Sequence, residues 1–184
     1  MSRVSRAGFV LAGGRSSRMG RDKALLPLAG ETLLDRVVRL LGDVAGSVTV
    51  IGPPERYPGY RTIGDKIENC GPLGGVYTAL ASSQADWNLI AACDMPELTA
   101  ALLEDLFRAA EGSRADAVVP ESPGGLDPLC AVYHRRCAAL AWSALNQEIF
   151  KMHDFLSTLR VERLPVADAS ALKNVNTPEE WAAR

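Results

Sequence analysis

Apolar residues fall along this chain in short blocks that alternate between two periods. Residues 7–12 (AGFVLA) form a nearly continuous apolar run stopping at Gly13-Gly14, as a parallel strand buried on both faces would. The spacing then becomes helical, at Leu33, Leu34, Val37, Val38, Leu41 and Val44, with Thr32 and Asp35 placed as a capping box. Residues 47–51 predict the next strand, stopped by Gly52-Pro53-Pro54, and residues 61–64 a weaker one. Residues 73–83 read as a helix despite their glycines, and residues 88–93 (NLIAAC) as the cleanest buried strand, broken by Asp94-Met95-Pro96. Thr99 can cap a helix that runs to Ala110 and closes at Gly112. Residues 117–119 and 129–133 predict two strands, 135–146 and 153–159 two helices, and 161–166 a further strand. Thr177-Pro178-Glu179-Glu180 opens a last short helix.

Strand then helix, repeated without a linker or internal repeat, predicts one α/β domain over residues 1–184. The expected architecture is a three-layer, Rossmann-like sandwich with a mostly parallel sheet covered on both faces. Ligands collect at the carboxyl ends of such strands, near a switch in strand order.

Composition narrows the class. Of 184 residues, 47% are hydrophobic and 23% charged, with 20 Lys+Arg against 22 Asp+Glu. A chain of this length buries about 70% of its unfolded surface and needs no disulfide or structural metal to fold. Near charge balance excludes disorder driven by self-repulsion and argues against a nucleic-acid binder. No apolar run reaches the roughly 18 residues of a membrane span. The apolar stretch after Arg3 and Arg6 is cut at Gly13, too short for the core of a signal peptide. The expectation is a cytoplasmic protein with neither membrane nor nucleic acid as partner. Cys70, Cys93, Cys130 and Cys137 show no Cys-x-x-Cys spacing, and Cys93 and Cys130 sit in apolar runs, so buried free thiols are expected. His134 and His153 are too few and isolated for a zinc site.

The segments that follow the strands carry the chemistry. After the first come Leu11-Ala12-Gly13-Gly14-Arg15-Ser16-Ser17-Arg18-Met19-Gly20-Arg21-Asp22-Lys23. Its glycines let main-chain N–H groups turn around phosphate oxygens, and its arginines and lysine suit a polyphosphate. It matches neither Gly-x4-Gly-Lys-[Ser/Thr] nor Gly-x-Gly-x-x-Gly. A basic loop that merely caps the sheet is the plainer alternative. Six cationic residues between Arg3 and Lys23, in an otherwise acidic chain, argue against it. Asp94, after the cleanest strand, is placed to hold Mg2+, although a turn or cap would also use an aspartate there. Asp65 has a similar position and a weaker claim. Residues 71–75 (GPLGG) offer a close-approach backbone, or only a loop and helix start. Asn174 and Asn176 precede the last helix, whose entry chemistry would account for them. No nucleophilic triad can be assembled, which suits an already anionic nucleophile that needs positioning and neutralised charge rather than a base.

Together these residues resemble a known family. Leu11-Ala12-Gly13-Gly14, Arg18-Met19-Gly20 and Asp22-Lys23 are similar to the signature of Rossmann-like nucleotidyltransferases. GPLGG at 71–75, CDMP at 93–96, DPLCAVY at 127–133 and NVNTPEE at 174–180 narrow the likeness to molybdenum cofactor guanylyltransferases of the MobA type. The resemblance implies transfer of GMP from GTP to the phosphate of molybdenum-molybdopterin, with pyrophosphate released and Mg2+ as cofactor. It also implies transient contacts with molybdenum-insertion proteins and apo-molybdoenzymes. By matching motifs, Leu11, Ala12, Gly13 and Gly14 would meet the nucleotide, and Arg18 and Lys23 its phosphates. Asp65, Gly71 and Gly75 would flank base and ribose, Asp94 would bind the metal, and Asn174 and Asn176 would lie near the reacting phosphates. The second strand departs from the family pattern, ending Ile51-Gly52-Pro53 where an asparagine is common. Two alternatives stay open: a CTP-using or sugar/polyol-phosphate nucleotidyltransferase, and a catalytically silent nucleotide sensor on the same fold.

Overall fold

The computed structural model describes residues 4–12 and 22–175. Its first strand, β1 (Arg6–Leu11), is followed by the small hairpin β2 (Pro27–Leu28) and β3 (Glu31–Thr32) and by helix α1 (Leu33–Ala45). The sequence pattern did not reveal that hairpin. Its turn puts Ala29 and Gly30 at φ of 51° and 90° without the Asn-Gly pair that usually signals such a turn. The capping box of α1 is in place: Thr32 Oγ1 accepts from the Asp35 amide at 3.1 Å, and Asp35 Oδ2 accepts from the Thr32 amide at 3.0 Å. The helix ends at Gly46 in the left-handed conformation, φ 76°, where a Cβ would be strained.

Strands β4 (Val48–Ile51) and β5 (Thr62–Ile63), helix α2 (Gly71–Ser82), strand β6 (Trp87–Ala92) and helix α3 (Ala100–Gly112) continue the alternation. Then come β7 (Ala117–Ser122), its short partner β8 (Gly125–Leu126), and β9 (Cys130–His134). Helices α4 (Cys137–Asn146) and α5 (Met152–Leu156) and the edge strand β10 (Val161–Pro165) complete the described elements. α5 is shorter than the 153–159 expected, and β7 extends past the expected end at Val119 to Ser122. The helix expected from Thr177 lies outside the described residues.

Apart from the β2–β3 hairpin, which is a separate two-stranded sheet, the described strands form one sheet in the order β10-β7-β9-β6-β1-β4-β5, with β8 paired to β7. β1 is parallel to both β4 and β6, β4 to β5, and β7 to β10. β9 runs antiparallel to its neighbours β6 and β7, a direction its apolar pattern could not disclose. Helices α1 and α3 cover one face, where Leu34, Leu41, Leu103 and Phe107 meet Val10, Val50 and Leu89. Helices α2, α4 and α5 cover the other, where Leu73, Val76, Ala141 and Phe155 meet Phe9, Ile51 and Ile90. The connection from β1 to β4 and that from β4 to β6 therefore cross opposite faces, and the strand order switches direction at β1.

Candidate active site

The carboxyl ends of β1, β4 and β6 lie level, because Leu11 is in register with Ile51 on one side and Ala92 on the other. These three residues line a crevice of about 550 Å3 that opens at the switch point. β9 contributes the opposite end of its chain: since it is antiparallel, its first residues face this edge, and Leu129 O accepts from the Ala92 amide at 2.8 Å. Leu129 thereby joins the lining.

The ionisable side chains Asp22, Lys23, Asp65 and Asp94 line the crevice. The 3-10 turn Lys23–Leu25 is capped by Asp22, whose Oδ1 accepts from the Ala24 amide at 3.1 Å. Lys23 Nζ reaches Asp94 Oδ2 at 3.4 Å, and each side chain is 18% exposed. Asp94 follows β6 in a turn, and its carbonyl accepts from the Val175 amide at 2.9 Å. That bond brings Asn174, distant in sequence, into the crevice. Asn174 Oδ1 is buried and has no hydrogen-bond partner among the described residues. A buried acceptor left unmet costs about 1–3 kcal/mol, which makes this atom a candidate to meet a ligand.

Further lining residues come from α2 and from the segment that leads into it. The GPLGG segment is the first turn and a half of α2 rather than a loop, with Pro72 in the first turn, where its missing N–H costs nothing. A Cβ on Gly75 would lie 3.2 Å from Leu11 Cδ2 and 3.8 Å from Asp65 Oδ1, so glycine lets the helix press against β1 and the Asp65 carboxyl. Asp65 is exposed as a residue, but burial of its carboxyl pushes its pKa above the ordinary value. A carboxyl facing a crevice in this way is suited to accept from hydroxyls.

Of the residues singled out in the sequence, Leu11, Ala12, Lys23, Asp65, Gly71, Gly75, Asp94 and Asn174 all line this one crevice. Gly13, Gly14, Arg18 and Asn176 lie outside the described residues. Ile51 and Ala92 escaped attention, although the strand-end argument used for Leu11 applies equally to them. Asn69 and Cys70, which lead into α2 and line the crevice, carried no signal in the sequence; Asn69 takes a φ of 60°, which asparagine tolerates better than most residues. Cys70 is half-buried there, unlike the other three thiols, which are buried. Burial holds the Cys93 thiol up at about 12, so it lines the crevice as a neutral group.

The donor set fits a hard divalent cation. Asp94 offers a carboxylate and Asn174 a buried amide oxygen with no other partner among the described residues. No group of three or more His, Cys, Asp or Glu that could hold a metal occurs among the described residues. An ion here would complete its shell with substrate oxygens and water, as Mg2+ commonly does.

A mostly parallel α/β sheet whose switch-point crevice is lined by a lysine and carboxylates defines a nucleotide-binding enzyme of the Rossmann-like kind. The chain belongs to the MobA-like NTP transferase domain family, whose model matches residues 8–162, and it is a nucleotidyltransferase. A probable molybdenum cofactor guanylyltransferase of Synechococcus elongatus is 36% identical over 187 residues, covering 96% of each chain. The crystal structure of molybdopterin-guanine dinucleotide biosynthesis protein A from Archaeoglobus fulgidus superposes with a TM-score of 0.82 at 26% identity, covering 96% of this chain and 95% of that one. Rv0371c of Mycobacterium tuberculosis, solved in complex with manganese, shares the fold with a TM-score of 0.69 at 16% identity and 98% coverage of each chain. No helix among the described residues is long and apolar enough to cross a membrane.

Proposed function

We propose that this nucleotidyltransferase transfers GMP from GTP to the phosphate of molybdenum-molybdopterin, forming the molybdopterin guanine dinucleotide cofactor. The reading rests chiefly on the joint placement, in the crevice at the level ends of β1 and β6, of Lys23, Asp94 and an Asn174 Oδ1 with no partner among the described residues. The names of relatives matched along almost their whole length support it. One domain spanning the chain would then carry both substrates.

A phosphate oxygen of the acceptor attacks the α-phosphorus of GTP. One P–O bond forms as the bond to the bridging oxygen breaks, and the electron pair leaves on pyrophosphate. The nucleophile is already anionic, so the site has charge to neutralise and atoms to align rather than a proton to remove. Lys23 offsets negative charge on the triphosphate, and Arg18 adds to that effect. Backbone at Leu11, Ala12, Gly13 and Gly14 receives the nucleotide. Asp65 accepts from the ribose, with Gly71 and Gly75 leaving room for the base, and Asn176 assists Asn174 near the reacting phosphates. Asp94 and Asn174 would hold Mg2+, which supplies further neutralisation of triphosphate charge when bound.

The test is pyrophosphate release from each nucleoside triphosphate with molybdopterin present. GTP should give the largest kcat/KM, because a site that pairs with the edge of one base leaves polar groups unmet with another. Equal kcat/KM for CTP and GTP would move the assignment to a cytidylyltransferase.

A further inference from the structure

Tyr57 follows the 3-10 turn Pro54–Arg56 and had no place in any motif. Its ring is 1% exposed and packs in the core that holds Val10, Ala12, Ala24 and Val50. Its hydroxyl lies 2.6 Å from the Ala12 carbonyl oxygen and 2.9 Å from Asp22 Oδ2. Ala12 and Asp22 are the two residues that bracket positions 13–21, and both line the crevice. A buried phenol is ordinarily satisfied by one acceptor. Here one proton serves two acceptors that stand at opposite ends of the same glycine- and arginine-bearing segment. Burial, and then Asp22, push the phenol well above its ordinary pKa, so it keeps that proton at neutral pH.

The contacts continue past Asp22. Its other carboxylate oxygen caps the turn that begins at Lys23, and the Leu26 amide closes that turn on Lys23 O at 3.1 Å. A rigid ring in the core is thus connected through its hydroxyl to the carboxylate that orients the turn of Lys23. We infer that Tyr57 is a positioning residue for nucleotide binding: its hydroxyl sets the span between Ala12 and Asp22 and the orientation of the turn bearing Lys23. The ring alone would pack equally well as phenylalanine, so the hydroxyl is the part that needs this explanation. The inference rests on reading the crevice as the GTP site.

The test is calorimetric titration of the full chain with GTP and Mg2+, without acceptor, alongside thermal unfolding with and without GTP. Tyr57→Phe should weaken GTP binding about tenfold, the effect of losing one charge-assisted hydrogen bond. Asp22→Ala should cost a similar factor, and the double variant little more than either single one, because both break the same connection. Asp22→Asn should stay within about threefold of wild type, since its amide can both cap the turn and donate to the phenol oxygen. The GTP-induced rise in Tm should shrink in Tyr57→Phe and Asp22→Ala. A lower Tm in Tyr57→Phe with unchanged GTP affinity would overturn the inference, leaving the hydroxyl a purely structural role. Additive losses in the double variant would overturn it as well. The Asp22 pair carries the test should Tyr57→Phe not fold, with equal affinities in Asp22→Ala and Asp22→Asn counting against it. Failure of the wild-type chain to bind GTP would overturn the functional reading itself.

Discussion

Replacing Asp94 with asparagine separates the chemistry of the crevice from its architecture. The substitution keeps the shape of the turn and the carbonyl that accepts from Val175, and removes one negative charge 3.4 Å from Lys23 Nζ. At that distance and an effective dielectric constant of about 20, the gross attraction is ~5 kcal/mol. Desolvation of two largely buried groups takes back most of it, leaving a net contribution of about 1–2 kcal/mol. For a chain of this size that corresponds to a fall in Tm of roughly 2–6 °C. Turnover should respond far more. The substituted amide would retain a neutral oxygen but lose the charge that draws a divalent cation, and loss of one preorganised electrostatic partner costs at least about 100-fold in rate. The assay is pyrophosphate release from GTP with molybdopterin across a Mg2+ titration, with thermal unfolding of the same samples. Asp94→Ala should be at least as inactive, still with a cooperative unfolding transition. Wild-type turnover in Asp94→Asn, with the same Mg2+ dependence, would refute the reasoning and place the metal elsewhere.

Lys23→Ala should lower turnover by more than about 100-fold in a folded protein, and near-normal pyrophosphate release would remove Lys23 from the mechanism. Asp116 concerns stability away from the crevice. It is 6% exposed, and Arg160 and Arg136 hold its carboxyl well below the ordinary pKa. A folded pKa depressed in this way contributes stability that is present above the unfolded value, near pH 4, and is lost as pH falls through the folded value. Asp116→Asn should therefore lower stability by about 2 kcal/mol at pH 7, and by progressively less below about pH 4. A denaturation difference that stays constant from pH 7 down to the acid limit would contradict that account.

Local patterning was enough to pick out the segments that become strands and helices, because burial on both faces of β1 and β6 demands apolar runs and α1 demands a 3.6-residue stripe. It also marked the ends: the Thr32–Asp35 box, the Thr99 cap and the close of α3 at Gly112 are local hydrogen-bond chemistry, settled by residues three or four apart. Most of the crevice was legible for the same reason, since Leu11 ends a strand, Lys23 and Asp94 come after strands, and a parallel sheet brings strand ends together. The rest came from the packing of segments distant along the chain. The direction of β9 depends on which neighbours it pairs with, and a buried run looks alike in either direction, so Leu129 could not be placed at the crevice. The GPLGG segment read as loop or helix start until packing against Leu11 and Asp65 showed why a helix there needs glycine. Tyr57 carried no signal in the sequence, because a hydroxyl's partners lie wherever the chain folds back, and Ala12 and Asp22 stand 45 and 35 positions away. Asn174 likewise became a candidate ligand only when the Val175 amide bonded to Asp94 and left the side-chain oxygen buried without a donor among the described residues. Spacing along the chain governs what forms locally, whereas the site is made by contacts between segments that no local pattern encodes.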